Sequence, residues 1–104
     1  MVWWLFLDDE RYPASKDITC HIARNVDDAL WMVKTYGLPS SMSLDHDLGY
    51  GKQSGMDFII QLCNMAIDDG LDLSKCVIQV HSMNPVGANN MKAYLASFLK
   101  EYNT

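Results

Sequence analysis

Three short apolar runs in this chain each stop at polar residues able to do chemistry, and that repetition constrains the fold most. Residues 2–7, VWWLFL, break at Asp8-Asp9, with Glu10 and Arg11 next. Residues 42–46, MSLDH, run into Asp45-His46-Asp47. Residues 76–81, CVIQVH, end in His81-Ser82, with Asn84 close behind. Apolar runs this short read as buried strands rather than helices. A fourth run, ITCHIA at 18–23, carries β-branched residues and reads as another strand.

Helical patterns fill the intervals. Asn25 stands where an N-cap belongs, with Asp27 and Asp28 in the first turn and Gly37 as the stop. A second helix runs from Gly55 to Asp69, its stripe made by Ile59, Leu62, Cys63 and Ala66, and Gly70 ends it. Pro85 opens a third helix whose apolar face is Met91, Leu95, Phe98, Leu99 and Tyr102. The order β-β-α-β-α-β-α predicts an open α/β fold with a mostly parallel four-stranded sheet. Helices on both faces of such a sheet would make three layers. The first connection, residues 8–17, is short for a parallel crossover, so the second strand is left either parallel or antiparallel.

The chain's 104 residues suffice for a single domain, 1–104. Thirteen acids against eight Lys and Arg give a net charge of −5, and no basic run exists. That excludes broad nucleic-acid binding through the phosphate backbone and leaves only local basic spots such as Arg11 and Lys52. Cys20, Cys63 and Cys76 are odd in number and lack CxxC spacing, so they read as reduced and mostly buried. The N-terminus lacks a basic region and a cleavage site, and no apolar run approaches membrane-spanning length. A soluble cytoplasmic protein is the expectation.

Ligands of open α/β sheets bind outside the carboxyl ends of the strands. If the strands are parallel neighbours, one rim gathers Asp8, Asp9, Asp45, Asp47, His46, His81, Ser82 and Asn84. Carboxylates brought so close repel unless protonated or joined by a cation. Short Asp side chains suit Mg²⁺ shared with a phosphate, and the two histidines also admit Mn²⁺ or Zn²⁺. The plainer alternative is that Asp8 and Asp9 cap a loop. His81 and His46 are candidates for a general acid or base, since imidazole titrates near neutrality. Ser82 and Asn84 either cap the last helix or bind phosphate at its N-terminus, where Gly87 would let a ligand approach closely. Arg11 is placed to fork onto phosphate oxygens. His21 reads as a core or edge residue. Tyr12 and Tyr50 are candidates for stacking on a base.

The motifs LFLDDER, SLDHDLG, SGMDFI and VHSMNPVGANNM, in this order, resemble the cyclic-phosphate processing receiver-like domain family, a compact relative of response-regulator receivers. The resemblance covers residues 4–95 and implies a flavodoxin-like fold lacking the receiver's first helix and fifth strand. Receivers carry an acidic pair after the first strand, a phosphoacceptor Asp after the third and Ser or Thr after the fourth. Asp8-Asp9, Asp45 or Asp47, and Ser82 match those places. A receiver glycine eight residues beyond the phosphoacceptor favours Asp47 through Gly55, whereas the strand pattern favours Asp45. No fifth-strand Lys is present, and His46 and His81 are not receiver features. The implied activity is a metal-dependent phosphoesterase acting on a cyclic phosphate of a nucleotide or RNA end. Its alternative is a non-catalytic module that binds a phosphate ligand or a partner protein.

Overall fold

A computed structural model describes residues 2–14 and 19–102. Four strands, β1 (Trp4–Leu7), β2 (Cys20–Ala23), β3 (Ser41–Leu44) and β4 (Val77–Val80), form one sheet in the order β2-β1-β3-β4. Every pairing is parallel. The direction of β2, which the short first connection left open, is therefore parallel. The start of the expected second strand at Ile18 lies outside the described residues. Three helices follow as expected: α1 (Val26–Tyr36), α2 (Gly55–Asp69) and α3 (Pro85–Tyr102). A short 3₁₀ turn, Leu73–Lys75, was not anticipated; Asp72 caps it by accepting the Ser74 N–H.

Local chemistry sets the helix ends. Asn25 Oδ1 accepts the Asp28 N–H at 2.8 Å, and Gly37 ends α1 at φ 85°. Ser54 and Asp57 form a reciprocal capping box at the start of α2, and Gly70 ends that helix in the left-handed region. Trp3 donates its indole N–H to the Gly37 carbonyl, tying β1 to the end of α1.

Among the described residues all three helices pack on one side of the sheet, so two of the three expected layers are seen there. Leu5, Leu7, Met42 and Leu44 point to one face of the sheet and share a core with Val26, Ala29, Val33, Phe58, Ile59, Leu62, Met91 and Leu95 from all three helices. The β2-α1-β3 and β3-α2-β4 crossovers travel the same way along the sheet, so their common right-handedness puts both helices on one side. The receiver helix that would begin the third layer belongs between β1 and β2, and the described residues there hold no helix. The opposite face carries Trp4, Phe6, Ile22, Ser41, Ser43, Val77 and Gln79, by alternation and register. His21 lies on the helix side, edge-on to Trp3 and beside Tyr36, as a core or edge histidine should.

Cys63 and Cys76 are buried and free, while Cys20 is half-buried. Burial pushes the first two thiols up to about 11 and about 12, so both stay protonated and inert. Among the described residues no helix is long and apolar enough to cross a membrane.

Gly55 sets how closely α2 approaches β3. Its N–H donates to the His46 carbonyl at 2.7 Å, and a Cβ there would collide with the backbone carbonyl of Asp45. Gly55→Ala should lower stability by about 2 kcal/mol, as overpacking against rigid backbone does. Urea denaturation of both chains measures the loss.

Candidate active site

Backbone ladders carry three polar residues past the ends of their strands onto one rim. Asp8 donates its N–H to Ala23, Asp45 to Leu7, and His81 to Leu44, at 3.1, 2.9 and 2.9 Å. Asp8, Asp45 and His81 continue the alternation of Phe6, Ser43 and Gln79, so they lie toward the helix-free face. The open cleft beside them, about 840 Å³, is lined by Asp8, Asp9, Arg11, Asp45, Asp47, Tyr50 and Lys52 among others.

Asp8 is the centre of this rim. It is 1% exposed and accepts four hydrogen bonds. Oδ1 takes the backbone N–H groups of Glu10 and Arg11, each at 2.9 Å. Oδ2 takes Arg11 Nε at 2.9 Å and His81 Nε2 at 3.0 Å. Burial alone would raise this carboxyl. The two backbone N–H groups, His81 and the Arg11 charge outweigh it and hold Asp8 down at about 2. Arg11 also reaches Asp45, with Nη2 3.4 Å from Oδ2, so one guanidinium bridges two nearly buried carboxylates. Arg24 fixes the loop from behind by donating to the carbonyls of Asp8 and Arg11.

His81 faces the carboxylates rather than the core. Its ring lies parallel to Phe6, with centroids 4.7 Å apart and planes inclined by 7°. Its Nδ1 meets Ser43 Oγ at 2.7 Å. At neutral pH Asp8 is ionised and only accepts, so Nε2 carries the proton toward it.

His46 and Asp47 form a second group. His46 Nδ1 lies 2.8 Å from Asp47 Oδ1, and Asp47 is largely exposed. The bond from His46, and a lesser one from Asn84, lower the Asp47 carboxyl below its ordinary value. Sequence left Asp45 and Asp47 equal; the fold sets Asp45 against Arg11 and Asp8, with Asp47 farther out on the rim. Ser82 Oγ accepts the Asn84 N–H in the turn before α3, and Asn84 Oδ1 accepts the Gly87 N–H, capping that helix. Gly87 serves packing: a Cβ there would lie 2.5 Å from the His46 ring, so the space expected for a ligand is filled by His46. Asp9 lines the cleft. Tyr50 lines it too and is fully exposed, whereas Tyr12 lies beneath Arg24 at 4.6 Å.

Asp8, Asp45 and His81 each offer one ligand atom, and these atoms lie within 4.8 Å of one another. Two carboxylate oxygens and an imidazole nitrogen fit a divalent cation in donor type and spacing. The Arg11 side chain, nearly half exposed, would have to yield its place between the carboxylates. Ser43 was missed in the sequence. Its signal was the two-residue spacing to Asp45 within MSLDH, which puts both on one face of a strand.

A parallel α/β sheet with acidic residues and a histidine gathered at its carboxyl rim is the arrangement of a receiver-like domain. The family model described as the cyclic-phosphate processing Receiver domain matches residues 3–97, and the chain belongs to that family. No curated protein and no solved structure matches it.

Asp8 titrates at about 2 folded against 3.8 ordinarily, so its contribution to stability is complete above about pH 4 and drains as pH falls toward 2. Asp8→Asn should flatten that acid limb and cost on the order of 2 kcal/mol at neutral pH. Urea unfolding across pH 2–7 reads both effects. At the second group, Gly87→Ala should destabilise the chain, and adding His46→Ala should restore part of the loss. Additive losses in that double-mutant cycle would refute the packing assignment.

Proposed function

We propose that this domain opens a cyclic phosphate at the end of an RNA or on a nucleotide. The observation that carries the reading is His81, poised between the Asp8 carboxylate and the Ser43 hydroxyl on a rim that also holds Arg11 and Asp45. A histidine so oriented moves protons, and a cyclic phosphodiester needs one removed from the attacking group and one given to the departing ribose oxygen. Arg11 supplies a planar cation for the phosphoryl oxygens, and Lys52 adds charge across the cleft. Tyr50 offers a face for the base.

Asp8 and Asp45 are the residues that would hold Mg²⁺ or Mn²⁺. Such an ion supplies charge for the phosphoryl oxygens as the bond to ribose breaks. His46 and Asp47, farther along the rim, suit contact with the rest of the ligand. The chain's negative charge fits a small phosphorylated ligand better than a long nucleic acid.

One observation favours a binding module instead. Every oxygen of Asp8 and Asp45 already has a partner within the protein, mostly through Arg11. A site so neutralised holds a phosphate ligand without turning it over.

A panel of 2′,3′-cyclic nucleotides and cyclic-phosphate oligomers, with EDTA, Mg²⁺ or Mn²⁺, separates these readings. Ring opening is expected, stimulated by metal and reduced at least about 100-fold by His81→Ala. Binding of intact ligand without turnover establishes the module. Neither binding nor turnover refutes both.

A further inference from the structure

We propose that Ser43 is the nucleophile of this site, activated by His81 and oriented through Asp8. That the natural electrophile is a cyclic phosphate rests on the function proposed above. Ser43 itself rests on geometry alone.

The Asp8 carboxylate accepts a hydrogen bond from His81 Nε2–H at 3.0 Å. A neutral ring then has its lone pair at Nδ1, and the group aimed at that lone pair is the Ser43 hydroxyl at 2.7 Å. Phe6 lies flat against the ring and holds its plane. Hydroxyl, base and orienting acid thus stand in the relation that activates serine on unrelated folds, with the two ring nitrogens exchanged. The plain alternative is a serine satisfying a buried histidine. Ser43 is only half-buried, however, and the His81 side chain is 23% exposed, so the pair stands at the surface rather than in the core. Both lie on the sheet face that carries no helix among the described residues, next to Asp8 and Asp45 of the cleft wall. Arg11 shares Oδ2 of Asp8 with His81, which brings a cation beside the relay.

In the first step Ser43 Oγ bonds to phosphorus and the bond from phosphorus to one ribose oxygen breaks. The serine proton passes to His81 Nδ1 and from there to the departing oxygen. This leaves a phosphodiester between Ser43 and the opened ribose. In the second step water bonds to phosphorus, its proton passes to His81, and Ser43 Oγ leaves with that proton. The product is a nucleoside monophosphate or a phosphomonoester end.

A fluorophosphonate probe tests the nucleophile without any substrate. Ser43 Oγ would bond to the probe's phosphorus and displace fluoride, with the serine proton leaving through His81. The full chain is treated with probe and EDTA, then read by intact mass and peptide mapping. One adduct on Ser43 is expected, with the other serines unmodified. Ser43→Ala should abolish it, and His81→Gln should slow it about 100-fold or more. No adduct on folded wild-type chain, checked by circular dichroism, overturns the proposal. So does an adduct spread over several serines, or one formed equally fast in His81→Gln. Turnover of cyclic phosphates without labelling removes Ser43 and leaves the proposed function standing. Labelling without turnover supports Ser43 and removes only the cyclic phosphate.

Discussion

The Asp8 carboxylate is the interaction on which the rest of the rim depends. Its position is dictated by register, because its own N–H is still in the sheet ladder with Ala23 while its side chain has passed the end of β1. Burying a charge there is tolerable only because four N–H donors meet its two oxygens. Two of those donors shape the loop that carries Arg11. A third is the Arg11 side chain, and the fourth is the ring of His81. A single charge thus orders the loop after β1, sets the guanidinium against Asp45 and selects the tautomer of the histidine after β4.

Much of this was legible in the sequence, for reasons of period and punctuation. The helix ends fell where Asn25, Gly37 and Gly70 put them, since caps and positive-φ glycines are local chemistry, while the Ser54 cap emerged only in the structure. The end of β1 was legible because an apolar run that must be buried cannot continue through Asp8, whereas the runs at 42–46 and 76–81 extend past the observed ends of β3 at Leu44 and β4 at Val80. The gathering of those ends followed from parallel pairing.

Other features depended on tertiary geometry that no local pattern encodes. The direction of β2 depended on whether a helix-free connection spans a crossover. That α1 and α2 share one face of the sheet followed from the hand of the crossovers, which strand order reveals and sequence order does not. Gly87 was read as making room for a ligand because glycine leaves space, but only the fold shows that His46 fills it. Asp45 and Asp47 were equivalent by spacing and are separated by where β3 ends: Leu44 is its last residue, so Asp45 keeps its ladder bond and Asp47 does not share it. Ser43 looked like an ordinary polar strand position until its hydroxyl was found against His81.

The bond between Asp8 and His81 joins residues 73 apart in the chain, and Arg24 clasps the Asp8 loop only once β2 lies beside β1. Neither contact can form locally. Both depend on parallel pairings that close long loops, whose entropy is lost before the contacts repay it. The contacts of Asp8 with His81 and Arg24 are therefore properties of the whole paired sheet and of no single segment of the chain.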